Sequence, residues 1–251
     1  MNTNKKIYFA SDFHLGIPDY ERSLVRERKI CAWLDSIKND AEEIFLVGDI
    51  FDFWYEYTYT IPKGYVRLLG KIAELTDSGI KVSFFTGNHD LWMKDYFTKE
   101  LNVTVHHEPI TRTFNEKLFY IGHGDGLGPG DKGYKFLKKI FTSKICQWLF
   151  TRLHPNLAFG IARWASVKSR LSTGASDEIF LGEEGEWLLA YCKEHCKQHN
   201  INYYIFGHRH LALDLPVNSN SRYINLGQWL SSSHFAVFDG NKLELKKFEE
   251  K

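Results

Sequence analysis

Five short apolar runs, each stopping at an acid, an amide or a histidine, constrain the fold of this chain more than any other feature. They are KKIYFASD (5–12), EEIFLVGD (42–49), KVSFFTGN (81–88), KLFYIGHGD (117–125) and YYIFGHRH (203–210). Runs of this length, rich in β-branched and aromatic residues, read as strands. Helical spacing around residues 20–38 and 64–78 separates the first three, which predicts an α/β fold with a largely buried sheet. In such folds ligands collect where strands end at their C-terminal edge.

The chain has 251 residues, 43% of them hydrophobic, enough to bury a sizeable core. The expected organisation is a single domain over 1–251 with a helical cap inserted over 128–185. No apolar run approaches the roughly 20 residues needed to span a bilayer, and MNTNKK leads into a strand rather than a secretory segment. A cytoplasmic location is expected. Four cysteines, Cys31, Cys146, Cys192 and Cys196, are too few to scaffold a chain of this length and are expected to be reduced.

Residues 131–170 break the alternation. They hold nine Lys or Arg against one acid, Asp131, so the rest of the chain is acidic on balance, the overall charge being +1. KGYKFLKKIFTSKICQWLF and LAFGIARWASVKSR read as two or three helices mixing basic and aromatic residues. LSTGASDE (171–178) is small and polar and reads as a mobile connector, after which 183–199 returns to a helix. DLPV, RYINLG, HFAVFD and KLELKKF then read as antiparallel strands, with a turn at Asp239-Gly240. There is no internal repeat.

The strand ends supply Asp12 and His14, Asp49, Asn88 with His89 and Asp90, His123, and His208 with His210. Carboxylate and neutral imidazole suit borderline divalent cations, and an amide oxygen suits the harder ones. On an extended chain, residues i and i+2 project to one side, so Asp12 with His14, and His208 with His210, are expected to reach a common metal that way. One such pair alone is usually a turn, and one histidine beside apolar residues is usually a core histidine. Five at successive strand ends reverse that reading.

The ordered series D-x-H, GD, GNHD, GH and GHRH, spanning residues 12–210, resembles the calcineurin-like metallophosphoesterase superfamily. The resemblance implies a two-sheet sandwich flanked by helices, with two divalent metal ions at the strand ends. It implies that Asp12, His14 and His210 bind one ion, Asn88, His123 and His208 the other, and that Asp49 bridges them. His89 would sit over the transferred phosphoryl group, with Asp90 orienting its ring. Two cations about 4 Å apart can activate a shared hydroxide and stabilise both the attacking and leaving oxygens of a displacement. Asp90 has a second reading, as a cap of a helix over LWMKDYF (91–97).

GDIFDFW, the helical insertion after GHGDG, FGHRH and RYINLGQW together resemble the UDP-2,3-diacylglucosamine pyrophosphatase family of lipid A synthesis. That resemblance implies cleavage of a UDP-linked acylated glucosamine to UMP and 2,3-diacylglucosamine 1-phosphate, with manganese (Mn2+), by an enzyme peripheral to the inner face of the inner membrane. It also places Lys168 or Arg170 near the substrate phosphates. His89 stands where well-known members have arginine, and Arg209 where the superfamily commonly has threonine. The basic cap, with Tyr134, Phe136, Phe141, Trp148, Phe150, Phe159 and Trp164, fits an anionic membrane surface and acyl chains. Its plainer reading is a helical hairpin with aromatics inside and lysines solvated. The acidic remainder argues against a nucleic-acid partner. A dimetal phosphodiesterase or phosphatase acting on a soluble nucleotide or phosphoprotein is the alternative enzyme, and a noncatalytic scaffold the alternative from another class. Cys192, His195, Cys196 and His199 lie at helical spacing but lack a partner pair on a second element, and are assigned to packing and surface.

Overall fold

A computed structural model describes residues 5–128, 132–177, 179–180 and 182–250. Strands β1 (Lys6–Ala10), β2 (Ala41–Val47), β3 (Lys81–Phe85), β4 (Thr104–His106), β10 (His234–Phe238) and β11 (Leu243–Lys247) form one sheet. Its order is β11-β10-β1-β2-β3-β4, with β1 to β4 parallel and β10 antiparallel to both β1 and β11. The second sheet has the order β5-β6-β7-β9-β8, built from β5 (Ile110–Phe114), β6 (Lys117–Ile121), β7 (Tyr203–Phe206), β8 (Ala212–Pro216) and β9 (Arg222–Leu226). There β6, β7 and β9 are parallel.

The period-two alternation of each strand divides its side chains between two cores. Ile7 and Phe9 of β1, Phe45 and Val47 of β2, and Phe119 and Ile121 of β6 meet Ile205, Ile224 and Phe238 between the sheets. Tyr8, Ala10, Ile44, Leu46 and Phe84 face the other way, against Ile30, Trp33 and Leu34 of α1 (Tyr20–Ile37) and Leu68, Ile72 and Leu75 of α2 (Val66–Asp77). On the outer face of the second sheet, Tyr204, Phe206 and Tyr223 pack on Leu188, Leu189 and Cys192 of α7 (Trp187–His195). Burial on both faces is why these strands are continuously apolar. The architecture is mixed α/β, two sheets flanked by helices.

The basic segment forms α4 (Lys132–Thr142), α5 (Lys144–Phe150) and α6 (Pro155–Asp177), between β6 and α7. Its aromatics divide. Phe150 and Phe159 turn inward onto Phe53, Tyr55, Tyr57 and Trp92, whereas Phe136, Trp148 and Trp164 are exposed. The plainer expectation, aromatics turned inward, holds for Phe150 and Phe159 and not for Phe136, Trp148 and Trp164.

Three local expectations are corrected. Residues 171–177 are no connector, because α6 runs to Asp177. The helix expected over 91–97 begins only at Tyr96, as α3 (Tyr96–Leu101), so Asp90 caps nothing. The helix expected over 183–199 is the shorter α7, preceded by a 3-10 turn at Glu183–Gly185. The four cysteines are free thiols, and among the described residues no helix is long and apolar enough to cross a membrane.

Candidate metal centre

Every candidate ligand stands just past a strand. Asp12 and His14 follow β1, Asp49 follows β2, and Asn88 follows β3, all in the first sheet; His123 follows β6, and His208 and His210 follow β7, in the second. Asp12, His14, Asp49, His208 and His210 have φ between 45° and 69°. That left-handed region costs a non-glycine residue about 1–3 kcal/mol, and such strain collects at functional sites. It also corrects the expected geometry. Neither Asp12-x-His14 nor His208-x-His210 is extended, since both members of each pair are left-handed; Asp12 and His14 share one group, whereas His208 lies beside His123 and His210 beside His14.

The side chains form two overlapping groups. In one, His14 Nε2 lies 3.0 Å from His210 Nε2, and Asp12 Oδ1 lies 3.7 Å from His14 Nε2 and 3.4 Å from His210 Nε2. In the other, His123 Nε2 lies 3.3 Å from Asp49 Oδ2 and 3.3 Å from Asn88 Oδ1, and the His123 and His208 rings are 5.3 Å apart. Asp49 belongs to both, its Oδ2 also being 3.8 Å from His14 Nε2. Asp12, His14, Asp49 and His123 are buried.

The donors fit a cation. His123 Nδ1 is 2.9 Å from the Val47 carbonyl and so donates to it, which turns the lone pair of Nε2 toward the oxygens of Asp49 and Asn88. Three acceptors converging in a buried space are satisfied by a proton or a metal. Burial alone would lower the His123 pKa, but the Asp49, Asp12 and Asp125 carboxylates outweigh it and push it up to about 10. Burial would raise Asp49, yet His123, His89 and His14 hold it well below the usual carboxylate range. The field of the site thus demands positive charge at its centre. His14, by contrast, is held neutral by burial, at about 3, the form in which imidazole binds a metal.

Two glycines are fixed by close approach. A Cβ on Gly87 would lie 2.2 Å from Asp49 Oδ1, and one on Gly207 would lie 2.4 Å from Asp12 Oδ2. Each ligand is cradled against the bare backbone of the next loop.

His89 lies at the rim, 5.0 Å ring to ring from His14, but Asp90 does not orient it. The Asp90 carboxylate accepts the backbone N–H groups of Gly87, Asp49, Ile50 and Phe51 at 2.7 to 3.3 Å, fastening the loop after β3 to the loop after β2. Burial, then Asp49, push its carboxyl up to about 7 against those donors. The orienting partner is Asp52. His89 Nδ1 lies 3.1 Å from the Asp52 carbonyl and 3.5 Å from its carboxylate, and Ser166 of α6 donates to the same carboxylate at 2.8 Å.

Asp52 sits three residues past Asp49 in GDIFDFW, so its signal was present in the sequence. Ser11 and Asn225 carry weaker ones. Ser11 Oγ donates to Asp12 Oδ2 at 2.5 Å, and the Asn225 amide donates to the Gly207 carbonyl at 2.5 Å. Asp125 accepts from Tyr134 Oη at 2.5 Å and pairs with Lys138 Nζ at 2.7 Å, tying α4 to the His123 loop. Lys168 and Arg170, expected near the substrate phosphates, fall on α6, but their side chains lie outside what the structure describes.

A two-sheet sandwich whose strand-end loops bring together carboxylate, imidazole and amide donors defines a metal-dependent phosphoesterase. A model of the calcineurin-like phosphoesterase family matches residues 5–212, and the chain belongs to that family. A UDP-2,3-diacylglucosamine hydrolase of Porphyromonas gingivalis is 39% identical, over 98% of this chain and 98% of that one. Proteins of the same name from Aeromonas salmonicida and Haemophilus influenzae are 25% and 26% identical, over 95% and 90% of this chain and 92% and 91% of theirs.

Proposed function

We propose that this chain hydrolyses the pyrophosphate of UDP-2,3-diacylglucosamine, releasing UMP and 2,3-diacylglucosamine 1-phosphate. The observation that carries this reading is near end-to-end similarity, at 39% identity, to a relative of that name, in a chain whose strand ends bring carboxylate and imidazole donors together. Asp12, His14 and His210 would hold one divalent ion, Asn88, His123 and His208 the other, with Asp49 between them; an N/O donor set without thiolate suits Mn2+. When bound, the two ions would polarise the phosphoryl group and acidify the attacking water.

The chain's own groups do the rest. With Nδ1 donating to the Asp52 carbonyl, His89 presents Nε2 to the substrate, where its protonated form donates to a phosphoryl or leaving oxygen. Asp52 and, behind it, Ser166 of α6 fix that ring. Helices α4 to α6 act as the cap. Their exposed Phe136, Trp148 and Trp164, beside exposed Lys139, Lys144, Arg152 and Arg163, suit acyl chains and an anionic bilayer surface and support a location at the membrane periphery.

The test is Mn2+-dependent UMP release from UDP-2,3-diacylglucosamine, with UDP-N-acetylglucosamine as unacylated control and His123→Ala beside the wild type. Release by the wild type alone, from the lipid alone, is the expected result. Metal-dependent cleavage of a generic phosphodiester without release from the lipid would move the substrate elsewhere.

A further inference from the structure

Arg209 lies between His208 and His210, yet its side chain points away from the metal centre and is only 2% exposed. Nε donates to the Glu186 carboxylate at 3.0 and 3.3 Å. Nη2 donates to the Ile179 carbonyl at 3.2 Å, and the guanidinium lies over the Trp187 ring, 4.2 Å from its centroid. Ile179 lies in the stretch that brings the chain back from α6, and Glu186 and Trp187 are the N-cap and first residue of α7, where that stretch ends. Glu186, itself buried, also accepts from Tyr223 Oη at 3.2 Å. Asn225 donates both to Tyr223 Oη and to the Gly207 carbonyl. The circuit from Arg209 through Glu186, Tyr223 and Asn225 thus returns to the residue preceding His208.

A buried ion pair is a poor source of stability, since desolvation offsets most of its attraction. What this one supplies is geometry. A planar fork engages a carboxylate, a carbonyl and a ring face at once, which lysine cannot do. We propose that Arg209 is a positioning residue that seats the returning end of the helical insertion, through Ile179, Glu186 and Trp187, on the loop carrying His208 and His210, so that insertion and metal ligands hold one fixed relation. The seat stands on geometry alone; its kinetic consequence rests on the lipid-substrate reading.

The test uses the full chain with Arg209→Met combined with Glu186→Leu, so that neither charge is left buried alone, and Arg209→Lys as the second variant. Hydrogen–deuterium exchange is followed in peptides covering 132–187 and in β1 to β3. In the double variant the first set should exchange about fivefold faster or more, with β1 to β3 unchanged and Arg209→Lys intermediate. For UMP release from the lipid, kcat/KM should fall about tenfold, mostly through KM, while Mn2+-dependent hydrolysis of bis(4-nitrophenyl) phosphate, too small to span to the insertion, should fall at most about twofold. Unchanged exchange across 132–187 in both variants overturns the proposal, as does an equal loss on both substrates, which would put the effect on the metal ligands themselves. A wild type that cleaves the diester but not the lipid overturns the substrate reading alone, and the exchange result then decides the role of Arg209.

Discussion

Asp52 faces His89 on one side and Ser166 of α6 on the other, and its carboxylate is also 3.9 Å from Nδ1 of His14. One buried carboxylate therefore addresses the candidate acid, a candidate ligand and the insertion. Replacing it by an amide keeps the shape and removes the carboxylate that faces the His89 ring and accepts from Ser166. Asp52→Asn should lower kcat about 10- to 100-fold, as outer partners of metal and catalytic groups commonly do, with bound metal unchanged. Steady-state kinetics beside metal analysis separates the two effects. A variant with wild-type kcat would show that His89 needs no orienting partner, and one that has lost its metal would move Asp52 to the support of His14.

The late start of α3 has its cause in another element. Its first turn has no side-chain cap from Asp95; instead the Glu56 carboxylate, from the loop after β2, accepts the N–H groups of Asp95 and Tyr96 at 2.9 and 3.1 Å and the indole N–H of Trp54 at 3.0 Å. Glu56→Ala would strand three donors and should cost about 2–4 kcal/mol, read as a lower urea midpoint with an unchanged slope; a midpoint within error of wild type would mean that water replaces the carboxylate. A cap supplied from 40 residues away is invisible to local sequence pattern, which is why LWMKDYF looked like one helix. The strands bearing ligands were legible because burial on both faces makes them continuous apolar runs. The short edge strand β4 and the half-exposed β5 have no such signature. The ligands were legible as residue types at strand ends, but their convergence was not, since it depends on left-handed φ at Asp12, His14, Asp49, His208 and His210. Asp90 was misread for a related reason: its partners are backbone N–H groups, three of them from the loop after β2, which carry no residue type.

The centre draws Asp12, Asp49 and Asn88 from the six-stranded sheet and His123, His208 and His210 from the five-stranded one. Ions held there would join the two sheets at one edge of their shared apolar core, so metal binding and the stability of the whole sandwich are linked. An ion present at 100 times its dissociation constant stabilises the folded state by about 2.7 kcal/mol, and 1 kcal/mol moves the Tm of a chain of this size by about 2–4 °C. Stripping the metal with EDTA should therefore lower the Tm by about 5–10 °C, and excess Mn2+ should restore it. His123→Ala removes a ligand that the second sheet contributes, and its Tm should respond to Mn2+ by about half as much or less. Scanning calorimetry of both proteins, with EDTA and with Mn2+, measures all four values. A wild-type Tm indifferent to EDTA would mean that the two sheets are held by their apolar core alone, and that the donors at their edge bind an ion too weakly to bear on the fold.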